Sequence, residues 1–217
     1  MSVSSVILLT GFRPFRGRKA NVSGDIARAL DGLEFNGVAI RALVIDVAWG
    51  APEKAIARKL SEVRRQGQEL LTLLSLGEGG GDRIKVEERA RNQRAPGRKD
   101  EAGRTPEEAG AEIVPGGPDE RFSRLAGDLR NIMEAAGISC VPSQSAGQFL
   151  CEETLYTGLR LVSPQRAGFL HIPPYPKGDQ DASDPDNRAH LKNLESAVRE
   201  ALKGLANRKT ELKESAV

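Results

Sequence analysis

Residues 70–76 read Leu-Leu-Thr-Leu-Leu-Ser-Leu and break off at Gly77-Glu-Gly-Gly-Gly81. A near-continuous apolar run bounded by glycine suits a strand buried on both faces. Such strands belong to parallel sheets covered by helices above and below. The rest of the chain agrees with that constraint. Val6-Ile-Leu-Leu-Thr10 is a second apolar run, ending in Gly11-Phe-Arg-Pro14, and reads as a buried strand followed by a loop. Val38 to Val47 is rich in strand-forming residues and leads to the chain's single tryptophan, Trp49. Ile138 to Val141 and Ala167 to Ile172 read as two shorter strands.

Helical spacing falls between these runs. Ser23 stands as an N-cap, with Asp25 in the first turn and Ile26, Ala27, Leu30 and Leu33 forming an apolar stripe. Pro52 opens a second helix whose Ile56, Leu60 and Val63 face inward, with Gly67 beyond its end. Phe122, Leu125, Leu129, Ile132 and Met133 mark a third, and Phe149 to Leu161 a fourth. Lys177 to Arg188 is a polar loop before a fifth helix marked by Leu191, Leu194, Val198, Leu202 and Leu205. Asn207 to Val217 reads as a frayed tail. The order predicts a single α/β domain over residues 1–217, a mostly parallel twisted sheet with helices on both faces. One stretch stands apart. Residues 89–118 are charged, rich in glycine and proline and without a sustained period, a long irregular loop of the kind that is functional or mobile.

Composition narrows the partners. At 217 residues the chain suffices for one well-buried domain and is short for two. Its 32 basic and 30 acidic residues are interspersed, with no basic block or aromatic ladder, so no nucleic-acid partner is expected. Its apolar runs are far too short to cross a bilayer, and no membrane association is expected. The N-terminus lacks the basic flank and apolar region of a signal peptide. With two cysteines and no secretion signal, a reduced chain in the cytoplasm is expected.

In open α/β sheets, ligands sit outside the carboxyl ends of the strands. The segments that follow the proposed strands there are Gly11 to Gly17, Gly77 to Gly81, Ser143 to Cys151 and His171 to Pro176. Ser145-Ala-Gly-Gln-Phe-Leu-Cys151 carries a small-residue turn into a helix, with Cys151 in its first turn or two. Unpaired N–H groups and the helix dipole favour a negative sulfur there. His171, one of two histidines, ends another apolar run. Together they are a candidate nucleophile and base, against the plainer alternative of a buried thiol and a surface imidazole. The shared rim adds weight to the catalytic reading. A third group must orient the imidazole, and either Glu87 or Glu88 can supply it unless both are solvated charges.

The glycine loop lacks the Lys-Ser/Thr ending of a phosphate-binding loop and the spacing of a dinucleotide fingerprint. It is read instead as room for close backbone approach of a small substrate. Phe12 and Phe15 are core residues or an apolar wall for a small ring, and their loop position favours the wall. Cys140 reads as an inert buried thiol and His190 as a surface histidine. Two histidines and two cysteines without close ligand spacing argue against zinc.

Five segments occur in order over nearly the whole chain. They are Thr10-Gly-Phe-Arg-Pro-Phe15, the Gly77 to Gly81 loop, Ile84-Lys-Val-Glu87-Glu-Arg-Ala90-Arg-Asn92, Ser145 to Cys151, and Gly168-Phe-Leu-His171-Ile-Pro. Together they resemble the pyroglutamyl peptidase I family, the pyrrolidone carboxyl peptidases, cysteine peptidases of the cytosol. Three of its stretches read Ile-x-Val-Glu-x-x-Ala-x-Asn, Thr-Ala-Gly-Thr-Phe-Val-Cys and Gly-Phe-Ile-His-Val-Pro. The resemblance implies a Cys151–His171–Glu87 triad, with Glu87 rather than Glu88 at the motif position. It implies hydrolytic removal of an N-terminal pyroglutamyl residue, a five-membered lactam, from blocked peptides. Phe12 and Phe15 would hold the ring, with Glu78, Gly79 and Leu150 completing the substrate site. It also implies a homotetramer and neither cofactor nor metal.

Two departures bear on the substrate. The family usually has glutamine where this chain has Glu78. A glutamine amide donates and accepts, whereas an ionised carboxylate only accepts and is costly to bury unpaired. Arg83 is a nearby candidate partner. Gln93-Arg-Ala-Pro96 also departs from the family's longer acidic sequence, so the substrate-facing loop is expected to differ. The alternatives are a non-catalytic small-molecule or peptide binder on the same scaffold, and a related hydrolase whose N-terminal acyl specificity is altered by Glu78.

Overall fold

The computed structural model describes residues 4–106, 112–147, 149–178 and 180–214, with side chains up to 208. Its elements run β1 (Ser5–Phe12), α1 (Val22–Leu30), β2 (Glu34–Phe35), β3 (Val38–Ile45), α2 (Ala51–Arg65), β4 (Glu69–Glu78), β5 (Ile84–Glu87) and β6 (Arg89–Arg91). There follow β7 (Glu120–Phe122), α3 (Leu125–Ala135), β8 (Cys140–Ser143), α4 (Leu150–Leu161), β9 (Ala167–Ile172) and α5 (Pro185–Glu214).

Seven strands form one sheet in the order β2-β3-β1-β4-β9-β5-β8. The pairs β1·β3, β1·β4, β4·β9 and β5·β8 are parallel, while β2·β3 and β5·β9 are antiparallel. The run that opened the sequence reading is β4, at the centre of the sheet and buried from Leu71 through Gly77. Alternation sends neighbouring side chains to opposite faces. Ile7 and Leu9 of β1, Leu74 and Leu76 of β4, and Leu170 and Ile172 of β9 pack against α1, α3 and α5. Leu8, Leu73 and Phe169 pack on the other side against α2 and α4. Burying each such side chain contributes about 1.5–3 kcal/mol, so both faces are closed by the same effect.

Several local expectations are corrected. Ser23 is not the cap of α1: Asn21 is, its Oδ1 accepting the Ser23 N–H at 3.0 Å. The Ser23 hydroxyl oxygen instead accepts the Phe12 N–H at 3.1 Å, tying the end of β1 to α1. Phe122 is not part of a helical stripe; it lies in β7, 56% exposed, and α3 begins at Leu125. The last helix runs to Glu214, past Asn207, where a frayed tail was expected to begin. Residues 215–217 lie outside the described residues.

The irregular stretch 89–118, of which 107–111 lie outside the described residues, begins as a strand. Arg89–Arg91 pairs with Glu120–Phe122 in a separate two-stranded ribbon. Beyond it the chain is fastened by side chains. Asn92 accepts the Val114 N–H and donates to the Val114 carbonyl, both at 2.8 Å. The buried Asp100 carboxylate accepts the N–H groups of Trp49, Ala102 and Arg104. Arg94 pairs at 3.0 Å with Glu153, whose side chain is buried on α4.

Candidate active site

The carboxyl ends of β1, β4 and β9, the adjoining β5 and the amino end of α4 enclose a cavity of about 320 Å³. Cys151, His171, Glu87, Phe12, Phe15, Glu78, Gly79 and Leu150 all line it. The four loops expected on one rim therefore meet. Cys151 is the second residue of α4, after an uncapped Phe149, so its sulfur sits by first-turn N–H groups that have no carbonyl partner within the helix. Gln148, the residue between Gly147 and Phe149, lies outside the described residues. His171 is the fifth residue of β9, with the ring held inside the protein.

Glu87 enters by a route absent from the simple α/β alternation. β5 inserts antiparallel beside β9, with Lys85 opposite His171 and Val86 opposite Leu170. Ile84 and Val86 point into the core, while Lys85 and Glu87 share the cavity face. Glu87 Oε1 lies 2.7 Å from His171 Nδ1 and its carboxylate is fully buried. Glu88 faces elsewhere and takes Arg130 at 3.2 Å. Burial alone works against a charged His171. The Cys151 sulfur, by charge and hydrogen bond, and Glu87 outweigh it and raise the imidazole to about 10. Nδ1 is engaged by Glu87, which leaves Nε2 for the sulfur. The ring also needs a glycine neighbour: a Cβ on Gly79 would lie 2.8 Å from His171 Cβ.

Glu78 is paired, but not by Arg83. Its carboxylate takes a two-point ion pair from Arg18 and accepts the Val22 N–H, the first of α1, at 2.8 Å. Arg18 also donates to the Gly178 carbonyl at 2.9 Å and stands over the Phe15 ring. The sequence reading missed Arg98, Lys85, Phe149 and Asn21, which also line the cavity. Lys85 had a legible signal, two positions before Glu87 on one strand face; Arg98 sits in a segment without periodicity and had none. Cys140 is half-buried on the edge strand β8, and burial raises its thiol pKa. His190 is half-buried and its Nε2 lies 3.3 Å from the Pro173 carbonyl. Among the described residues no cluster of three His, Cys, Asp or Glu is placed to hold a metal, and no helix is long and apolar enough to cross a membrane.

A sequence model of the family described as pyroglutamyl peptidase matches residues 5–205. A pyrrolidone-carboxylate peptidase of Chromobacterium violaceum is 34% identical over 175 residues, 79% of each chain. One from Cupriavidus necator is 33% identical over 208 residues, 90% of this chain and 92% of that one. Among solved structures, a variant of pyrrolidone carboxyl peptidase from Pyrococcus furiosus superposes with a TM-score of 0.79 at 25% identity, covering 94% of this chain and 99% of its own.

Proposed function

The chain belongs to the pyroglutamyl peptidase family of cysteine peptidases, and from that premise we propose that it removes N-terminal pyroglutamyl residues from peptides through Cys151, His171 and Glu87. The observation that carries the reading is the line of contacts from buried Glu87 through His171 toward Cys151, at the rim of an aromatic-walled cavity.

In this mechanism Phe12 and Phe15 hold the lactam while Gly79 lets the substrate backbone approach. The Cys151 thiolate attacks the pyroglutamyl carbonyl carbon, and its π electrons move onto oxygen. First-turn N–H groups of α4 stabilise that oxyanion, an effect on the order of 3–4 kcal/mol per well-placed donor. Collapse of the intermediate breaks the C–N bond as the His171 imidazolium gives its proton to the leaving amine. A pyroglutamyl thioester is left on Cys151. Water, deprotonated by the now neutral His171, attacks the thioester carbonyl, expels the Cys151 thiolate to release pyroglutamate, and so restores the thiolate–imidazolium pair. Glu87 holds the tautomer and stabilises the imidazolium throughout. By likeness to its family, the protein works in the cytoplasm as a homotetramer.

The test is release of a fluorophore from a pyroglutamyl amide, with Cys151→Ala as the control. Cysteine-dependent release is the expected result. An active Cys151→Ala protein overturns the nucleophile. No release, with Cys151 alkylating rapidly at neutral pH, overturns the substrate and keeps the nucleophile.

A further inference from the structure

The cavity carries positive charge that the proposed reaction leaves unused. Lys85 and Arg98 line it, and Arg16 stands beside Arg98 at the solvent edge. Among the described residues none of these three forms an ion pair, whereas Arg18 and Arg94 nearby are each matched to a carboxylate. Glu101 is close, but its carboxylate accepts the backbone N–H of Arg16 at 2.8 Å.

Arg98 is held in place by a built support. The Trp49 indole N–H donates to the Arg98 carbonyl at 3.0 Å, and the Trp49 ring meets Phe149 edge-on with centroids 4.9 Å apart. The Arg98 guanidinium carbon lies 3.9 Å from the centroid of that same Phe149 ring. Stacking fixes the plane of the guanidinium and removes water from one of its faces. Burial and then the neighbouring Arg16 lower its pKa, while the Cys151 sulfur opposes them, as expected for a cation at the sulfur end of the cavity. A half-desolvated guanidinium beside a second cation is relieved by a carboxylate, which it can hold by two parallel hydrogen bonds.

We propose that Arg98, with Lys85 and Arg16, forms an anion-reading subsite for the leaving peptide, selecting pyroglutamyl peptides with an acidic residue immediately after the scissile bond. This rests on the peptidase reading above. With the lactam between Phe12 and Phe15, the rest of the peptide leaves past Arg16, Ser145 and Gly147, which are exposed, and Arg98 borders that exit.

The experiment compares kcat/KM for two C-terminally amidated peptides, pyroglutamyl-glutamate and pyroglutamyl-glutamine, in the native protein, Arg98→Met and Lys85→Met. In parallel, the rates at which iodoacetate and iodoacetamide modify Cys151 are read by mass spectrometry, a charge test that needs no substrate. The native protein should favour the acidic peptide about tenfold, the scale of one charge-assisted hydrogen bond. That ratio should fall toward one in Arg98→Met, fall partly in Lys85→Met, and shrink in high salt. The iodoacetate-to-iodoacetamide ratio should drop in the same variants. Hydrolysis of both peptides at equal rates, or a preference that survives both substitutions, overturns the subsite and leaves the peptidase reading standing. No hydrolysis of either peptide, with an iodoacetate preference lost in Arg98→Met, overturns the peptidase reading and keeps an anion site beside Cys151.

Discussion

Glu87 Oε1 and His171 Nδ1 lie 2.7 Å apart on neighbouring antiparallel strands, and the second oxygen, Glu87 Oε2, is buried with no hydrogen-bond partner among the described residues. A carboxylate so placed has one interaction to give, and it gives it to the imidazole. Glu87→Gln keeps the shape and removes the charge, so His171 loses both its tautomer control and its counter-ion. The expected loss in kcat is about 10²–10⁴-fold, as for orienting carboxylates elsewhere. The melting temperature should hold to within a few degrees, because a buried charge goes at the same time. A variant retaining more than half of native kcat would remove Glu87 from the mechanism.

The imidazole itself gives a second prediction. His171 is raised from an ordinary 6.5 to about 10, so it binds its proton more tightly folded than unfolded. Its charge therefore adds stability that is fully present below about pH 6.5 and is lost as pH rises through about 10. In proton NMR the His171 ring should stay flat between pH 6 and 8.5. In Cys151→Ala the burial that opposes the charge meets only Glu87, and the midpoint should move down. A native His171 that titrates near 6.5 would contradict the ion pair.

Gly77 shows how little room the nucleophile has. A Cβ there would sit 2.7 Å from Phe169 Cζ and 2.8 Å from Cys151 Sγ. Gly77→Ala should cost about 1–3 kcal/mol by overpacking and displace the sulfur. Denaturant unfolding measures the first effect, and the rate of Cys151 alkylation the second. Native alkylation kinetics in a destabilised variant would mean that Phe169 yields and the sulfur does not.

What the sequence reveals about this site depends on how local the signal is. Cys151 is visible because a small-residue turn feeds a helix, and His171 because a six-residue apolar strand, Ala167–Ile172, carries it near its carboxyl end. The central strand β4 is visible because a two-sided strand has no polar alternation to hide it. β5 was not: four residues after a charged glycine loop look like part of that loop, and nothing local says that they pair antiparallel with β9. The order of residues alone therefore left Glu87 and Glu88 undecided. The partner of Glu78 was missed for the same reason. Arg83 is five residues away in sequence, whereas Arg18 arrives from the loop after β1, a distance that only the folded sheet closes.

That ion pair supports the last prediction. The Glu78 side chain is 4% exposed and the Arg18 side chain 20%, so both charges are largely desolvated. Removing one partner strands the other, a loss on the order of 3–5 kcal/mol when burial is complete and less here, where Arg18 still meets water. Glu78→Gln should lower stability although it restores the residue usual in the family. It should not by itself raise pyroglutamyl turnover, because Arg18 also stands over the Phe15 ring and moves once released. The doubly substituted Arg18→Met, Glu78→Gln protein removes both charges and should be more stable than the sum of the single changes predicts, with a coupling of about 1–3 kcal/mol in a double-mutant cycle. Turnover should follow the same order, lowest in Glu78→Gln and partly recovered in the double variant. Strictly additive stabilities would mean that the two charges do not support one another. A Glu78→Gln protein faster than the native one would instead mean that the carboxylate limits lactam recognition, and that this chain was shaped for a different N-terminal group.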